Sequence, residues 1–480
     1  MRTRSAGRRT PAAHRSLAIS LLLTLLLAFS AVGAEAVSAR DSLRVDFKRN
    51  GSRWLASRTG AQASSALSAD ISFTTPVPTT GRVGYGINGT ITAWTANLPF
   101  SKDHTAHLSG LRPSTTYRVV VTVIGSDGRR GSGETTVRTG AFPLQARSAM
   151  EGGALKIDGE PFFPILAFGQ CDTFDQSIAR GVNLFLLGGC MHEDQAASSA
   201  AIAGQGFLAT PAGSNVVLPG HIGWVYPDEA DERGGTYETL PALPAWQDAG
   251  KVSFLTLTNH FYSKAEALPV GKGMYPGLAK RADVLGFDLY PMQIWCRYEG
   301  FDHVYHSQRD LDALVQGRPT YQWIETRQMG CTDKSLVPTA QTVEVETWLA
   351  IAGGADGIGW FPWNPENASV SAAMKRVGDQ IAALQPALLA PELPAGASRG
   401  KGIFVGARKL NDAIYVIAVN ATRAKVTSQI LVNGLGNFPL ETVFEPKRRI
   451  TPTGGLFSDT FGPLQTHIYV YAPDGYGTRS

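Results

Sequence analysis

Neither sign of charge dominates this 480-residue chain: 44 Lys and Arg stand against 40 Asp and Glu, a formal net charge of +4, and part of that small excess lies in the opening MRTRSAGRRTPAAHRS. The basic footprint that a nucleic-acid partner requires is therefore absent. Metal-ligand spacing is absent as well, since no His-x-His or similar cluster occurs, so a metal-dependent hydrolase would lack its ligand set and no cofactor is expected. Beyond the N-terminal segment no run is apolar enough to cross a bilayer. Cysteine is scarce, with Cys171, Cys190, Cys296 and Cys331 the full complement.

What remains describes a globular protein of several cores, with 43% hydrophobic and 18% charged residues over a length that exceeds one ordinary domain. The N-terminus has a basic segment, an apolar run from Leu17 and small residues ending at Ala34 or Ala36, the layout of a secretory signal over residues 1–36. The apolar run is nearly long enough to span a membrane, which leaves an uncleaved anchor as the alternative. Export places the chain outside the cell or in the cell envelope. An even cysteine count in an oxidising compartment favours two disulfides, and four cysteines allow three connectivities.

Residues 41–141 alternate apolar and polar positions in short runs such as ADISFTT, RVGYGI and TTYRVVVTVIG, separated by turn residues, the pattern of a β-sandwich. The stretch HTAHLSGLRPSTTYRVVVTV resembles the corner of fibronectin type III domains, with Leu111, Pro113 and Tyr117 in the family's places. Residues 398–474 repeat the all-β signature in GIFVGARKL, AIYVIAVN and HIYVYAP, and resemble the small β-sandwich that follows the barrel in many secreted glycoside hydrolases. Between them, residues 147–390 have the size and the βαβ rhythm of one (β/α)8 barrel. Its eight strands read as FFPILAFG, GVNLFLLGG, GFLAT, HIGWVY, VSFLTLTN, DVLGFDLYP, PTYQWIE and GIGWFPW, with the clearest helices at SQRDLDALVQG and TAQTVEVETWLAIAGG. The expected fold is a TIM barrel flanked by two β-sandwiches.

In such a barrel the chemistry lies at the carboxyl ends of the strands. Asp228 and Glu229 end the fourth strand in GWVYPDEADE, and Glu325 ends the seventh in PTYQWIETRQ. Two carboxyls facing each other across a sugar are what glycoside hydrolysis needs, one protonated to release the leaving group and one ionised to attack. These residues, with the opening LKIDGEPFFPI, resemble clan A retaining glycoside hydrolases. The resemblance implies Glu229 as acid/base, Glu325 as nucleophile, Tyr290 in GFDLYPM as a hydrogen-bond partner of the nucleophile, and Trp360 or Trp363 in GWFPW as the platform under the sugar. The chain departs from the family in carrying Asp228 where an Asn donates to the sugar, and LLGGCMHED where an arginine is usual at the end of strand two.

Further strand-end residues are candidates for holding hydroxyl groups: Asp288, Asn259, His260, Gln170 and His192, the last beside Glu193. Arg297, Arg327 and Lys334 near the mouth suit an anionic or heavily hydroxylated glycan. Neighbouring strands pair the cysteines as Cys171 with Cys190 and Cys296 with Cys331, bracing the mouth. The expected partner is a polysaccharide, with neither nucleic acid nor, a retained anchor apart, membrane. A barrel that binds glycan without cleaving it is the alternative, and an inverting mechanism is the alternative to a retaining one. The sugar, the linkage and the oligomeric state are not legible.

Overall fold

The computed structural model describes residues 46–49, 52–55, 59–191, 194–211, 218–232, 250–394, 397–398 and 401–472, so the signal segment and His192 lie outside the described residues. At the centre a closed barrel of eight parallel strands runs β1 (Ile165–Phe168), β2 (Leu184–Leu186), β3 (Phe207–Pro211), β4 (His221–Val225), β5 (Val252–Thr258), β6 (Val284–Asp288), β7 (Thr320–Glu325) and β8 (Gly357–Phe361). All eight runs read from the sequence lie in it. These strands are apolar almost throughout because both faces are covered, the inner by the lumen and the outer by helices.

Around the barrel stand α1 (Phe174–Ala179), α2 (Asp194–Ile202), α3 (Tyr275–Ala279), α4 (Asp302–Val315), α5 (Ala340–Ala352) and α6 (Ala368–Leu388). The α5 helix starts at a capping box, with Thr339 accepting from the Thr342 amide and Thr342 answering from its side chain. It is apolar nearly all round because it is wedged between β7 and strands of the C-terminal sheet. Asn367 caps α6 by accepting from the Ser369 and Val370 amides at 2.9 and 3.1 Å. None of the described helices is long and apolar enough to cross a membrane.

The lumen is filled from β7. The Tyr321 hydroxyl lies 2.8 Å from Thr256 Oγ1, and Trp323 Nε1 donates to the same oxygen at 3.2 Å. Both rings lean over glycines of the adjacent strands: a Cβ on Gly286 would fall inside the Tyr321 ring, and one on Gly359 inside the Trp323 ring. Close packing of this kind leaves no room for an added methyl group.

On the N-terminal side an antiparallel sheet of eight strands covers residues 46–138. Its core holds Leu111 and Tyr117, whose hydroxyl accepts from the Arg112 amide at 2.8 Å. On the other side come a five-stranded and a three-stranded antiparallel sheet within residues 397–471. The flanking sheets are fastened to the barrel and to each other. Thr92 Oγ1 donates to the Ala383 carbonyl of α6, Gln385 Nε2 donates to the Gly110 and Leu111 carbonyls, Tyr415 Oη donates to the Thr92 carbonyl, and the buried Arg82 pairs with Asp412.

Candidate active site

Alternation along a strand sends every second side chain into the lumen. On β7, Tyr321 and Trp323 point inward, which aims Glu325 towards the carboxyl end of the same side. On β6 the inward series is Val284, Gly286 and Asp288, continued by Tyr290. The structure gathers Asp228, Glu229, Asp288, Tyr290 and Glu325 at this end: burial pushes the Tyr290 hydroxyl well above the usual tyrosine range, and the nearby charges of Asp288, Asp228, Glu325 and Glu229 push it the same way. Tyr290 is itself buried, its ring stacked on Phe361 with centroids 5.9 Å apart.

Glu229 stands just past β4, half-buried, with a backbone φ of +50°. A glutamate in that left-handed region is uncommon and is held there by its surroundings. Its carboxyl is hydrogen-bonded to that of Asp288. Asp288 is raised well above the ordinary aspartate range, first by burial, then by the Glu229 and Asp228 charges, by its hydrogen bond to Glu229 and by Asp231. Asp288 therefore keeps its proton where an exposed aspartate has lost it.

The turn that carries Asp228 and Glu229 is fixed from below by Asp231, a residue that sequence reading passed over within the same acidic run. Asp231 is buried and accepts from the Thr258 amide at 3.0 Å, the Thr258 hydroxyl at 2.6 Å and the Tyr275 hydroxyl at 2.9 Å. It thereby ties the exit of β4 to the end of β5 and to α3.

Glu325 occupies a different setting. It is fully buried, with Oε1 accepting from the Met292 amide and Oε2 from the Gln293 amide, each at 2.9 Å. These two donors, and not Tyr290, are the hydrogen bonds drawn to it from the segment after β6. Burial raises its carboxyl to about 7, against the lowering effect of the two amides and of a hydrogen bond with Glu346 of α5. The covering segment is held in turn by Gln293, whose Oε1 accepts from the Met329 amide at 2.6 Å while its Nε2 donates to the Leu336 carbonyl. Gln293 and Glu346 were both missed in the sequence.

The disulfides Cys171–Cys190 and Cys296–Cys331 are present as the strand order implied, with Cα atoms 5.5 and 5.1 Å apart. The second joins the cover of Glu325 to the loop that follows it.

Trp360 and Gln170 are fully buried. Trp360 has no exposed surface and belongs to the apolar cluster that also holds Trp348 and Met374 of the surrounding helices, so it offers no face to a sugar. Its neighbour in sequence, Phe361, takes the lumen side instead. Trp363 is half-buried against the same layer and keeps some surface. Gln170 is buried, its Nε2 bound to the Asp172 and Thr173 carbonyls, which makes it a local brace. Asn259 and His260 form a short 3-10 turn after β5, half-buried, with His260 Nδ1 donating to the Glu266 carbonyl at 2.7 Å. The Arg297 guanidinium lies over the Trp295 ring at 5.7 Å, and Lys334 Nζ donates to the Cys331 carbonyl.

No protein-family model matches the chain, and no curated protein matches it. Among solved structures it is similar to a GH30 endoxylanase from Clostridium papyrosolvens C71, at 11% identity over 69% of this chain and 98% of that one, with a TM-score of 0.39. It is also similar to a β-glucuronidase from Ruminococcus gnavus, at 9% identity over 71% of this chain and 67% of that one, with a TM-score of 0.35. At these TM-scores the likenesses carry no weight for the activity.

Proposed function

We propose that the chain is a secreted glycoside hydrolase acting on an extracellular or cell-wall polysaccharide at the carboxyl end of its barrel. Glu229 is the general acid/base and Glu325 the nucleophile of a retaining double displacement. The observation that carries this reading is the buried Asp288 in contact with Glu229 at the mouth, where burial and the nearby carboxyls keep a proton on Asp288. A leaving sugar oxygen needs such a donor. The pair is too close to be the two catalytic carboxyls themselves, which stand about 5–5.5 Å apart in retaining enzymes and about 6.5–9.5 Å apart in inverting ones. Asp288 is therefore the group that holds a proton beside Glu229, and the second carboxyl is Glu325.

The retaining route requires the Met292–Gln293 segment to lift from Glu325 when substrate enters, because a carboxylate with both oxygens on amides is a poor nucleophile. The Asn259, His260 and Trp363 side chains and the cationic Arg297, Arg327 and Lys334 would contact the glycan around the bond that breaks. The full burial of Glu325 favours a second reading, in which the barrel binds glycan without cleaving it.

Turnover on a panel of cell-wall polysaccharides and chromogenic glycosides separates the two. Hydrolysis lost in both Glu229→Gln and Glu325→Gln, with folding intact, supports the first. Retained binding with no hydrolysis by the native chain supports the second.

A further inference from the structure

The α5 helix carries a carboxyl that nothing in the reaction above uses. Glu346 is 1% exposed, lies among Val343, Val345, Thr347 and Trp348, and no protein donor of good geometry reaches either of its oxygens. An ionised carboxyl in that position would be stranded in an apolar layer. The polar groups that act on it belong to Glu325: its backbone amide, and its carboxyl, which is likewise buried and already bound through both oxygens to the Met292 and Gln293 amides. Two carboxyls in contact without water demand a proton between them.

We infer that Glu346 is a positioning residue: its protonated carboxyl donates a hydrogen bond to Glu325 and seats that carboxylate on the Met292 and Gln293 amides. The proton belongs on Glu346 because Glu325 has two amide donors of good geometry to stabilise its charge, whereas the backbone of Glu325 alone favours the charge on Glu346, and burial together with the Glu325 charge holds Glu346 well above the ordinary range. The segment after β6 sets the two amides and the Tyr290 hydroxyl against Glu325. On α5, Glu344 turns away to Arg376 of α6 at 2.7 Å. For turnover the inference rests on the reading of Glu325 as nucleophile: a donor behind the carboxylate keeps it ionised and aimed until the amides release it.

The test is a titration and does not depend on activity. Glutamate carboxyl carbons are labelled with 13C in the full chain, the Glu325 signal is assigned by its loss in Glu325→Gln, and pH titrations of the native chain, Glu346→Gln and Glu346→Leu are compared. The native Glu325 signal is expected to titrate in two steps, because two interacting sites release their protons as a pair. Glu346→Gln keeps a donor in place and removes the second titrating group, so the signal is expected to move in one step. Glu346→Leu removes the donor, so the midpoint is expected to rise by about one pH unit or more. A two-step titration persisting in Glu346→Gln, or a midpoint unmoved in a folded Glu346→Leu, overturns the inference. Should Glu346→Leu fail to fold, the isosteric Gln variant decides alone. A chain that cleaves no glycan while its Glu325 titration responds in this way overturns the hydrolase reading and leaves Glu346 in its role.

Discussion

Glu229 and Asp288 meet carboxyl to carboxyl at the rim of the barrel, one from the exit of β4 and the other from the last position of β6. Burial and the neighbouring carboxyls keep a proton on Asp288, beside Glu229. Asp288→Asn removes that proton from the mouth. Hydrolysis of whichever glycan the native chain cleaves is expected to fall about 10²- to 10⁴-fold in kcat, the ordinary worth of a general acid. Kinetics as a function of pH check this, and an unchanged profile would remove Asp288 from the proton's path.

The burial of Glu325 predicts how stability varies with pH. Its carboxyl titrates at about 7 in the fold and near the ordinary glutamate value when unfolded, so between about 4.5 and 7 the folded chain holds more protons than the unfolded one. Unfolding free energy therefore falls as pH rises through that window and levels off above it. Glu325→Gln removes the dependence. Denaturant unfolding is expected to show the gap between native and variant changing by about 3 kcal/mol from pH 4.5 to pH 7.5, in the direction of the variant gaining on the native chain.

Asp231 is expected to matter more for stability than its place in an acidic run suggests. Removing it in Asp231→Ala leaves the Thr258 amide, the Thr258 hydroxyl and the Tyr275 hydroxyl without their acceptor. The expected loss is about 3 kcal/mol, read from urea unfolding at constant m. A change under 0.5 kcal/mol would mean the turn is held by something else.

Cys296 and Cys331 close a loop with a sequence separation of 35 that contains Glu325 and starts just past its cover, Met292 and Gln293. The double change of both cysteines to serine is expected to lower stability by about 2–4 kcal/mol. Amide hydrogen exchange at Met292 and Gln293 is expected to speed up relative to the barrel strands, since their protection depends on that loop staying closed.

How much of this was legible in the sequence differs element by element. The barrel strands were readable because double burial makes them short apolar runs between Gly, Pro and Asn, and α4 and α5 because they are long enough to show a pattern. The short α1 and α3 were not. Trp360 was misplaced because GWFPW offers two adjacent aromatics, and only the register of β8 against β7 decides that Phe361 turns inward and Trp360 outward. The burial of Glu325 comes from Met292 and Gln293, a segment far from it in sequence, so no local pattern announces it. Glu346 did leave a sign: of the two carboxyls in α5 it is the one set between Val345 and Thr347 and beside Trp348.

The rings of Tyr321 and Trp323, each lying over a glycine of the next strand, stop the bore of the barrel beneath the carboxyls. If a glycan is held at this end, it lies across the rim and does not pass along the bore between these strands.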